Sequence, residues 1–485
     1  MTSKIRTRIA PSPTGLLHIG TVKVALSNHL FAKKKDGDFV LRIEDTDKER
    51  STKAFEEDIV NGLESLGLAG NEGVHAGGDY GPYRQSERTE IYQNYLKKIV
   101  EEGKAYFCAC SKERLEEMRD AQRAAKKPTR YDGKCRNANE DSGVVRLKVP
   151  DDRGDITWND LVRGQTTIHA KEIDDFVIAR SIDDPLFHFT VATDDHEMEM
   201  THVIRGEDHI SNTPKHILIF EALGWEVPQF GHLPLILNED KTKMSKRKNK
   251  VSMDDYLADG YLPEAMINFL ALLGWNTADE QEIFSMEELI EKFSLDRVQK
   301  GGAVFDIKKL DWINGEYIKK AIQEDVDGFY EVAKPFIEKE LGDVDADLVK
   351  KLLQDQDFEG RFTKLSQIPE ELGCFFQPLP NYDASLLVKE KFKLTPELVA
   401  TILKKVSDVL QKVEWNVGQV EKKGELKQAL VDLIQEMELK NGQVLWPVRI
   451  ALSGQEKSPN FTTLMVYLGK EEVLKRLKIG QEKLV

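Results

Sequence analysis

The stretch from Ile5 to Gly37 admits few folds. Ile5, Thr7 and Ile9 alternate with Arg6 and Arg8, the period of two that a β-strand requires. Pro11-Ser12-Pro13-Thr14-Gly15-Leu16-Leu17-His18-Ile19-Gly20 follows; two prolines stiffen the connection, and Gly15 and Gly20 supply positions without a Cβ. From Thr21 the spacing turns helical, with Val22, Ala25, Leu26, His29 and Leu30 three and four residues apart, and Asp36-Gly37 ends the run. A rigid, glycine-containing turn therefore joins a strand to a helix N-terminus. There, backbone N–H groups and the positive dipole end favour an anion, most often a phosphate. His18 stands where it could add a donor to the same anion. An ordinary βα turn with one surface histidine has the same pattern, so the turn alone does not decide between the two.

Length and composition set the frame. A chain of 485 residues suggests about three domains, and hydrophobic and charged fractions of 40% and 32% describe a soluble globular protein. No apolar stretch approaches the ~20 residues of a membrane helix, and Met1-Thr2-Ser3-Lys4-Ile5-Arg6 lacks the apolar segment of a signal peptide. Four cysteines, three of them within Cys108–Cys135, fit a reducing compartment and a cytoplasmic protein, not a disulfide scaffold. A net charge of −15 gives no general attraction to nucleic acid, so such a partner must be held by local basic stretches.

Asp38–Ile43 reads as a short buried parallel strand ending in Glu44, Asp45 and Asp47. Ligands of open α/β sheets bind beyond the carboxyl ends of strands; Glu44 is assigned to the site, Asp45 and Asp47 to capping the next helix. Residues 89–102 form an amphipathic helix. Cys108, Cys110 and Cys135 could make a small zinc knob with Tyr131 available, although the fourth ligand is not obvious and free thiols without metal fit the spacing too. Beside them Arg123, Lys126, Lys127, Arg130, Lys134 and Arg136 face one acid, Asp132, a solvated face or a phosphate contact. Residues 143–194 look like an inserted α+β unit with strands at Val144–Val149, Gln165–His169 and Phe176–Ala179. The βα pattern resumes at Thr201, with Arg205 at a strand's carboxyl end, where its fork suits a carboxylate or phosphate. Leu233–Leu237 reads as another strand. Residues 241–250 carry six cations and no acid, a basic loop suited to neutralise phosphate charge. Beyond Gly301 no strand of consequence is expected. One helix opens at Thr395-Pro396, and a second runs from Leu426 to Met437 and stops at Asn441-Gly442.

These residues carry a family likeness. Pro11–Gly20 resembles the "HIGH" element of class I aminoacyl-tRNA synthetases, and Lys243-Met244-Ser245-Lys246-Arg247 resembles their "KMSKS" loop. Arg8-Ile9-Ala10-Pro11-Ser12-Pro13-Thr14-Gly15, Arg42-Ile43-Glu44-Asp45-Thr46-Asp47, Gln85-Ser86-Glu87-Arg88, Val203-Ile204-Arg205-Gly206 and Gly302-Ala303-Val304-Phe305-Asp306 narrow the resemblance to bacterial-type glutamyl-tRNA synthetases, over nearly the whole chain. The resemblance implies a Rossmann-like parallel α/β catalytic domain with an α+β insert, followed by an all-α anticodon-binding domain. The divisions expected are 1–107 and 195–240 for the two catalytic halves and 108–194 for the acceptor-stem insert with its zinc knob. The loop and a linking helical segment occupy 241–325, and the anticodon domain 326–485.

The implied reaction joins L-glutamate to ATP, releases pyrophosphate, and passes the glutamyl group to the terminal adenosine of tRNA(Glu), with tRNA(Gln) a second acceptor in some such enzymes. His18, Lys243 and Lys246 are the catalytic residues by resemblance. ATP falls to Pro11, Ser12, Thr14, Gly15, His18, Gly20, Lys243, Met244, Ser245, Lys246 and Arg247, with Mg2+ on its phosphates and the amides of the Gly15–Gly20 turn assisting. Arg8 and Arg205 take the two carboxylates of glutamate, and Glu44 with Ser12 takes its ammonium. Arg123, Lys126, Lys127 and Arg130 are assigned to the tRNA acceptor end and Arg361 to the anticodon. One structural Zn2+ on Cys108, Cys110, Tyr131 and Cys135 follows the relatives that use a tyrosine there, and a monomer is the default. The chain departs from the family at Phe187, where a substrate-binding tyrosine is common, at Thr21 in place of the class's second histidine, and at Asn137, a histidine in some relatives. A glutaminyl enzyme would carry Pro-Glu-Pro-Asn wording and a β-barrel tail, and shorter paralogues lack the helical tail. A catalytically dead relative should have lost His18 or Lys246, and both are present.

Overall fold

The structure, a computed structural model, describes residues 4–47, 49–244 and 250–484. It divides into two compact units, Met1–Ala258 with Pro263–Leu310, and Asp259–Leu262 with Asp311–Val485.

The first unit is built on the opening stretch. Strand β1 (Arg6–Ile9) pairs in parallel with β2 (Asp38–Leu41), Arg6 opposite Asp38 and Ile9 opposite Leu41, and β2 pairs in parallel with the two residues Glu72–Gly73. Helix α1 (Ile19–Lys34) is the crossover between them. The strand His202–Gly206 runs beside β1, where Thr201 N–H donates to Arg6 O at 3.1 Å, and pairs in parallel with Gln229–Leu233. Asn28 of α1 holds β1 to this strand: it donates from Nδ2 to Ile204 O and accepts from Thr7 Oγ1. The alternation in β1 does not separate a core face from a solvent face, because all four residues are buried. A central parallel strand is covered on both sides, so Arg6 and Arg8 must find carboxylates inside. Arg6 grips Glu72 with both terminal nitrogens at 2.9 Å, and Arg8 takes Asp195.

The insert is a four-stranded antiparallel sheet in the order Ala105–Cys108, Val144–Leu147, Val177–Ser181, Asp184–Pro185, with a separate hairpin of Asp155–Asp160 and Gly164–His169. The strands Ala105–Cys108 and Asp155–Asp160 were not expected. The latter alternates cleanly, Ile156, Trp158 and Asp160 inward, a period obscured in the sequence by the acid at the inward position Asp160. Other expectations are corrected. Leu233–Leu237 is two strands, Gln229–Leu233 and Ile236–Leu237, since Pro234 interrupts the ladder. Ile236–Leu237 pairs in parallel with Ala303–Val304, a short strand past Gly301. Asp45 and Asp47 cap no helix: Thr52 caps Lys53–Ser65, while Asp45 accepts from Ser86 N–H and hydroxyl and Asp47 binds Arg50.

The second unit is helical. Pro396–Leu410 is capped by Thr395 as the sequence predicts, accepting from Leu398 N–H, and buries Val399, Ile402, Leu403, Val406 and Leu410 against Phe461–Glu482. Asn441-Gly442 does not stop a helix. The helix Lys423–Glu436 has ended already, and Asn441 opens Asn441–Ser453. Gly442 is required by contact instead, since a Cβ there would lie 2.5 Å from the Phe392 ring.

Candidate active site

The turn between β1 and α1 is tied down on several sides. Glu44 N–H donates to Pro11 O at 3.0 Å, Thr52 N–H to Pro13 O at 3.1 Å, and Leu17 N–H to Asp58 Oδ2 at 2.7 Å. Leu17 packs closely on the helix Lys53–Ser65 at Gly62, where a Cβ would stand 2.6 Å from Leu17 Cδ2. His18 is the N-cap of α1, and its Nδ1 accepts from Gly20 N–H at 2.9 Å, so the neutral ring carries its proton on Nε2. The amides of Thr14, Leu17, Ile19 and Gly20 thus all donate within the protein.

Both flanks of the basic stretch reach this turn's surroundings. Met244 N–H donates to Ile236 O, while beyond the stretch Ile19 N–H donates to Val251 O and Met253 N–H to Leu17 O, each at 2.9 Å. Lys243 Nζ lies 3.2 Å from Asp208, in the turn after His202–Gly206. Ser245, Lys246 and Arg247 lie outside the described residues.

A cavity of about 460 Å³ opens at the carboxyl ends of β1 and His202–Gly206. Arg8, Pro11, Ser12, His18, Gly20, Glu44, Phe187, Arg205, Lys243 and Met244 line it, and Thr14 and Gly15 do not. Motifs far apart in sequence therefore share one volume. Behind it lies a buried ionic network. Arg8 binds both oxygens of Asp195 at 3.1 and 3.3 Å, and Arg42 bridges Asp195 at 2.9 Å and Glu44 at 3.3 Å. Arg88 and the Tyr92 hydroxyl hold Asp194 at 2.7 and 2.9 Å. Burial works against Asp195, yet Arg8 and Arg42 keep its carboxyl below its ordinary value. Burial pushes the Glu44 carboxyl up to about 7 despite Arg42 and Arg8. Arg205 is brought down to about 9 by burial and by the nearby charge of Arg8.

Sequence reasoning missed Lys23, Asp208 and His209, which also line the cavity. Lys23 is 5% exposed, touches Pro234 O at 3.4 Å, and burial lowers its ammonium to about 8. Its position on α1, four residues after Ile19 and three before Leu26, both buried, was the available signal. Asp194 and Asp195 were visible only as an acidic pair within a run of helical spacing.

Against this geometry stand the comparisons with known proteins. The family model described as tRNA synthetases class I (E and Q), catalytic domain, matches residues 4–312. The chain belongs to this family of class I tRNA synthetases. An anticodon binding domain model matches residues 328–481 of the synthetase. It is 42% identical over 500 residues to a glutamate–tRNA ligase of Clostridium botulinum, covering 100% of this chain and 99% of the relative, and 43% identical over 490 residues to one of Carboxydothermus hydrogenoformans, covering 98% and 99%. Among solved structures, a glutamate tRNA ligase from Elizabethkingia meningosepticum in complex with its amino acid superimposes with a TM-score of 0.89 at 34% identity, over 100% of both chains.

A second cluster of the synthetase lies in the insert. The sulfurs of Cys108, Cys110 and Cys135 all fall within 4.8 Å of one another. Tyr131 Oη stands 3.3 Å from Cys108 Sγ and 3.6 Å from Cys110 Sγ, and Cys110 and Cys135 are 3.5 Å apart. Zn–S bonds of about 2.3 Å in a tetrahedron separate sulfurs by about 3.7 Å, so the four atoms fit one zinc ion. Arg114 Nη1 lies 3.5 Å from Cys110 Sγ, and the Arg146 guanidinium sits 3.8 Å from the Tyr131 ring centre, cations suited to an anionic donor set. Of the cations beside the knob, Arg123, Lys126 and Lys127 are exposed, Arg130 reaches the Lys171 carbonyl, and Arg136 is engaged by Asp175. In the second unit Arg361 is exposed, paired with Glu371 at 2.8 Å. No helix among the described residues is long and apolar enough to cross a membrane.

Proposed function

We propose that this synthetase is a cytoplasmic, monomeric glutamate–tRNA ligase that forms glutamyl-adenylate and charges tRNA(Glu). The observation that carries this reading is one cavity lined by the phosphate-side His18, the basic Lys243, and a pair of arginines with a buried carboxylate, Arg8, Arg205 and Glu44. Glutamate has two carboxylates and one ammonium, which this set complements in number and sign. Arg205 takes one carboxylate, Arg8 the other with the part of its fork not engaged by Asp195, and Glu44 with Ser12 takes the ammonium. ATP enters as its Mg2+ complex against Pro11, Ser12, His18 and Gly20, which line the cavity, with Thr14 and Gly15 on the adjoining turn, and Lys243, Met244, Ser245, Lys246 and Arg247 are assigned to its phosphates.

The α-carboxylate of glutamate attacks the α-phosphorus, and the bond to pyrophosphate breaks. Positioning and charge neutralisation carry such a displacement. His18 Nε2–H and the lysines hydrogen-bond the oxygens on which charge accumulates. A hydroxyl of the terminal adenosine of tRNA then attacks the mixed anhydride and AMP leaves. No side chain of the enzyme is acylated. Cys108, Cys110, Tyr131 and Cys135 hold a structural zinc ion, which would cross-link the knob where Arg123, Lys126, Lys127 and Arg130 meet the acceptor end; the helical unit, with Arg361, reads the anticodon.

The test is charging of purified tRNA(Glu) and tRNA(Gln) with labelled glutamate and ATP, beside a Lys246→Ala control. Glutamyl-tRNA formed by the wild type and lost by at least about a hundredfold in the control is expected, on the scale of removing a transition-state donor. Tight tRNA binding without charging of either tRNA would overturn the enzymatic reading.

A further inference from the structure

Arg205 differs from the other buried arginines around the cavity in what holds it. Arg8 and Arg42 meet Asp195, and Arg88 meets Asp194, all within 3.3 Å. Arg205 is just as buried, at 6% exposed, yet no carboxylate lies within ion-pair distance of it among the described residues. Its N–H groups go instead to neutral acceptors. Nε reaches His232 Nε2 at 3.3 Å, Nη1 reaches His216 Nδ1 at 3.4 Å, and Nη2 reaches Thr213 Oγ1 at 2.9 Å.

Both imidazoles are kept in their accepting form by the next group along. His232 Nδ1 lies 2.5 Å from Asp160 Oδ2, which fixes the proton on Nδ1 and leaves Nε2 to accept from Arg205 Nε and from the Thr213 hydroxyl at 3.0 Å. His216 presents Nδ1 to the guanidinium, so its proton is on Nε2, 3.3 Å from Nδ1 of His188, which accepts it. Burial and the charge of Arg205 hold His216 neutral, and burial brings His188 down to about 4. The Phe187 ring packs over His188, His209 and His216 with centroids 5.4 to 6.2 Å away, an apolar cover on the cavity side. The one carboxylate in the frame, Asp160, is separated from Arg205 by an imidazole.

We propose that the frame of Thr213, His216 and His232 is a positioning and specificity device: it fixes the Arg205 fork with uncharged acceptors only, so that its charge stays unpaired until a carboxylate of the amino acid arrives. That role presupposes the assignment of Arg205 to a substrate carboxylate made above. A carboxylate in place of any acceptor would hold the fork equally well and remove the discrimination. With the cation left unpaired, glutamate completes an ion pair, while the neutral amide of glutamine leaves a desolvated charge unsatisfied. Arg8, already paired with Asp195, contributes direction more than charge.

The decisive comparison is His216→Asp against His216→Asn. The two side chains have nearly the same shape and can place an oxygen where His216 Nδ1 stands; they differ in charge and in the amide that takes the place of the second oxygen, which can donate towards His188 Nδ1 as the His216 Nε2–H does. In charging of tRNA(Glu) by the full-length enzyme at saturating ATP and tRNA, His216→Asn should keep the glutamate KM within about threefold. His216→Asp should raise it about tenfold or more, the scale of a charge-assisted hydrogen bond, with the ATP KM unchanged. The preference for glutamate over glutamine should fall in parallel. A loss of packing would move both variants alike, and equal KM values in the two would overturn the proposal. Thr213→Asp against Thr213→Asn repeats the comparison from the Nη2 side, at a helix N-terminus where a carboxylate is tolerated; equal KM values there overturn it too, including when His216→Asp does not fold. Arg205→Gln is measured alongside. If it leaves the glutamate KM unchanged, the assignment of Arg205 itself fails; if it raises KM while the Asp and Asn variants agree, only the role of the frame fails.

Discussion

Glu44 shows how burial sets chemistry at a single position. Burial lifts its carboxyl to about 7 from 4.5, and Arg42 and Arg8 offset only part of that. In the empty site the group is protonated below about 7 and ionised above it. Because the folded form binds this proton more tightly than the unfolded chain, its contribution to stability is present at low pH and is lost as pH rises through 7. The proposed role of Glu44 has the opposite demand, since a substrate ammonium held there needs the ionised carboxylate. The glutamate KM should therefore be level above pH 7.5 and climb as pH falls to 6, by up to about tenfold per unit. Glu44→Gln should raise KM at pH 8 and flatten the profile. KM measured at pH 6, 7 and 8 for both proteins checks this, and a Gln variant that keeps the wild-type slope would place the titration elsewhere.

At the scale of elements, helix ends are joined by charges placed for their dipoles. Arg476, 2% exposed on Phe461–Glu482, donates from Nη1 to the carbonyls of Cys374 at 2.9 Å and Leu452 at 2.7 Å, and from Nη2 to Gln377 O at 3.3 Å. These carbonyls close the helices Ile368–Phe376 and Asn441–Ser453, where partial negative charge collects. Glu472 takes Nε at 2.8 Å. Arg476→Leu keeps the stem's volume but strands three carbonyls away from water. It should destabilise the helical unit by about 3 kcal/mol, the scale of a few unmade charge-assisted hydrogen bonds. A thermal melt followed by circular dichroism reads this as a lowered Tm; an unchanged Tm would mean water replaces the guanidinium.

At the scale of the whole molecule, an acidic protein of net charge −15 must bind a polyanion through local patches. Lys126 and Lys127, exposed just past the helix Lys112–Ala124 and beside the cysteine cluster, are the pair proposed above to meet tRNA. Reversing both, Lys126→Glu with Lys127→Glu, should weaken tRNA binding and reduce the slope of log Kd against log salt by about one per lysine. Binding titrations between 50 and 200 mM salt measure the slope directly, and a weaker Kd with the wild-type slope would assign the effect to the knob's shape instead of its charge.

The strand–turn–helix of Ile5–Gly37, the cap at Thr395, the cysteine cluster and the two separated signature segments were readable because each depends on local spacing or residue chemistry. Local spacing misled at Asn441-Gly442, where the pair opens a helix and the glycine answers to the close Phe392 ring instead of to a turn. It misled also at Leu233–Leu237, where Pro234 divides one apolar run into two strands. By itself the sequence determined the chemistry on offer, namely a phosphate-ready turn, a basic loop, a carboxylate and two arginines. Only the tertiary structure decided that Arg8 would be neutralised by Asp195 while Arg205 was left among histidines. Charge pairing in a buried site depends on which side chains meet across strands and helices, and no local period in the chain encodes that meeting.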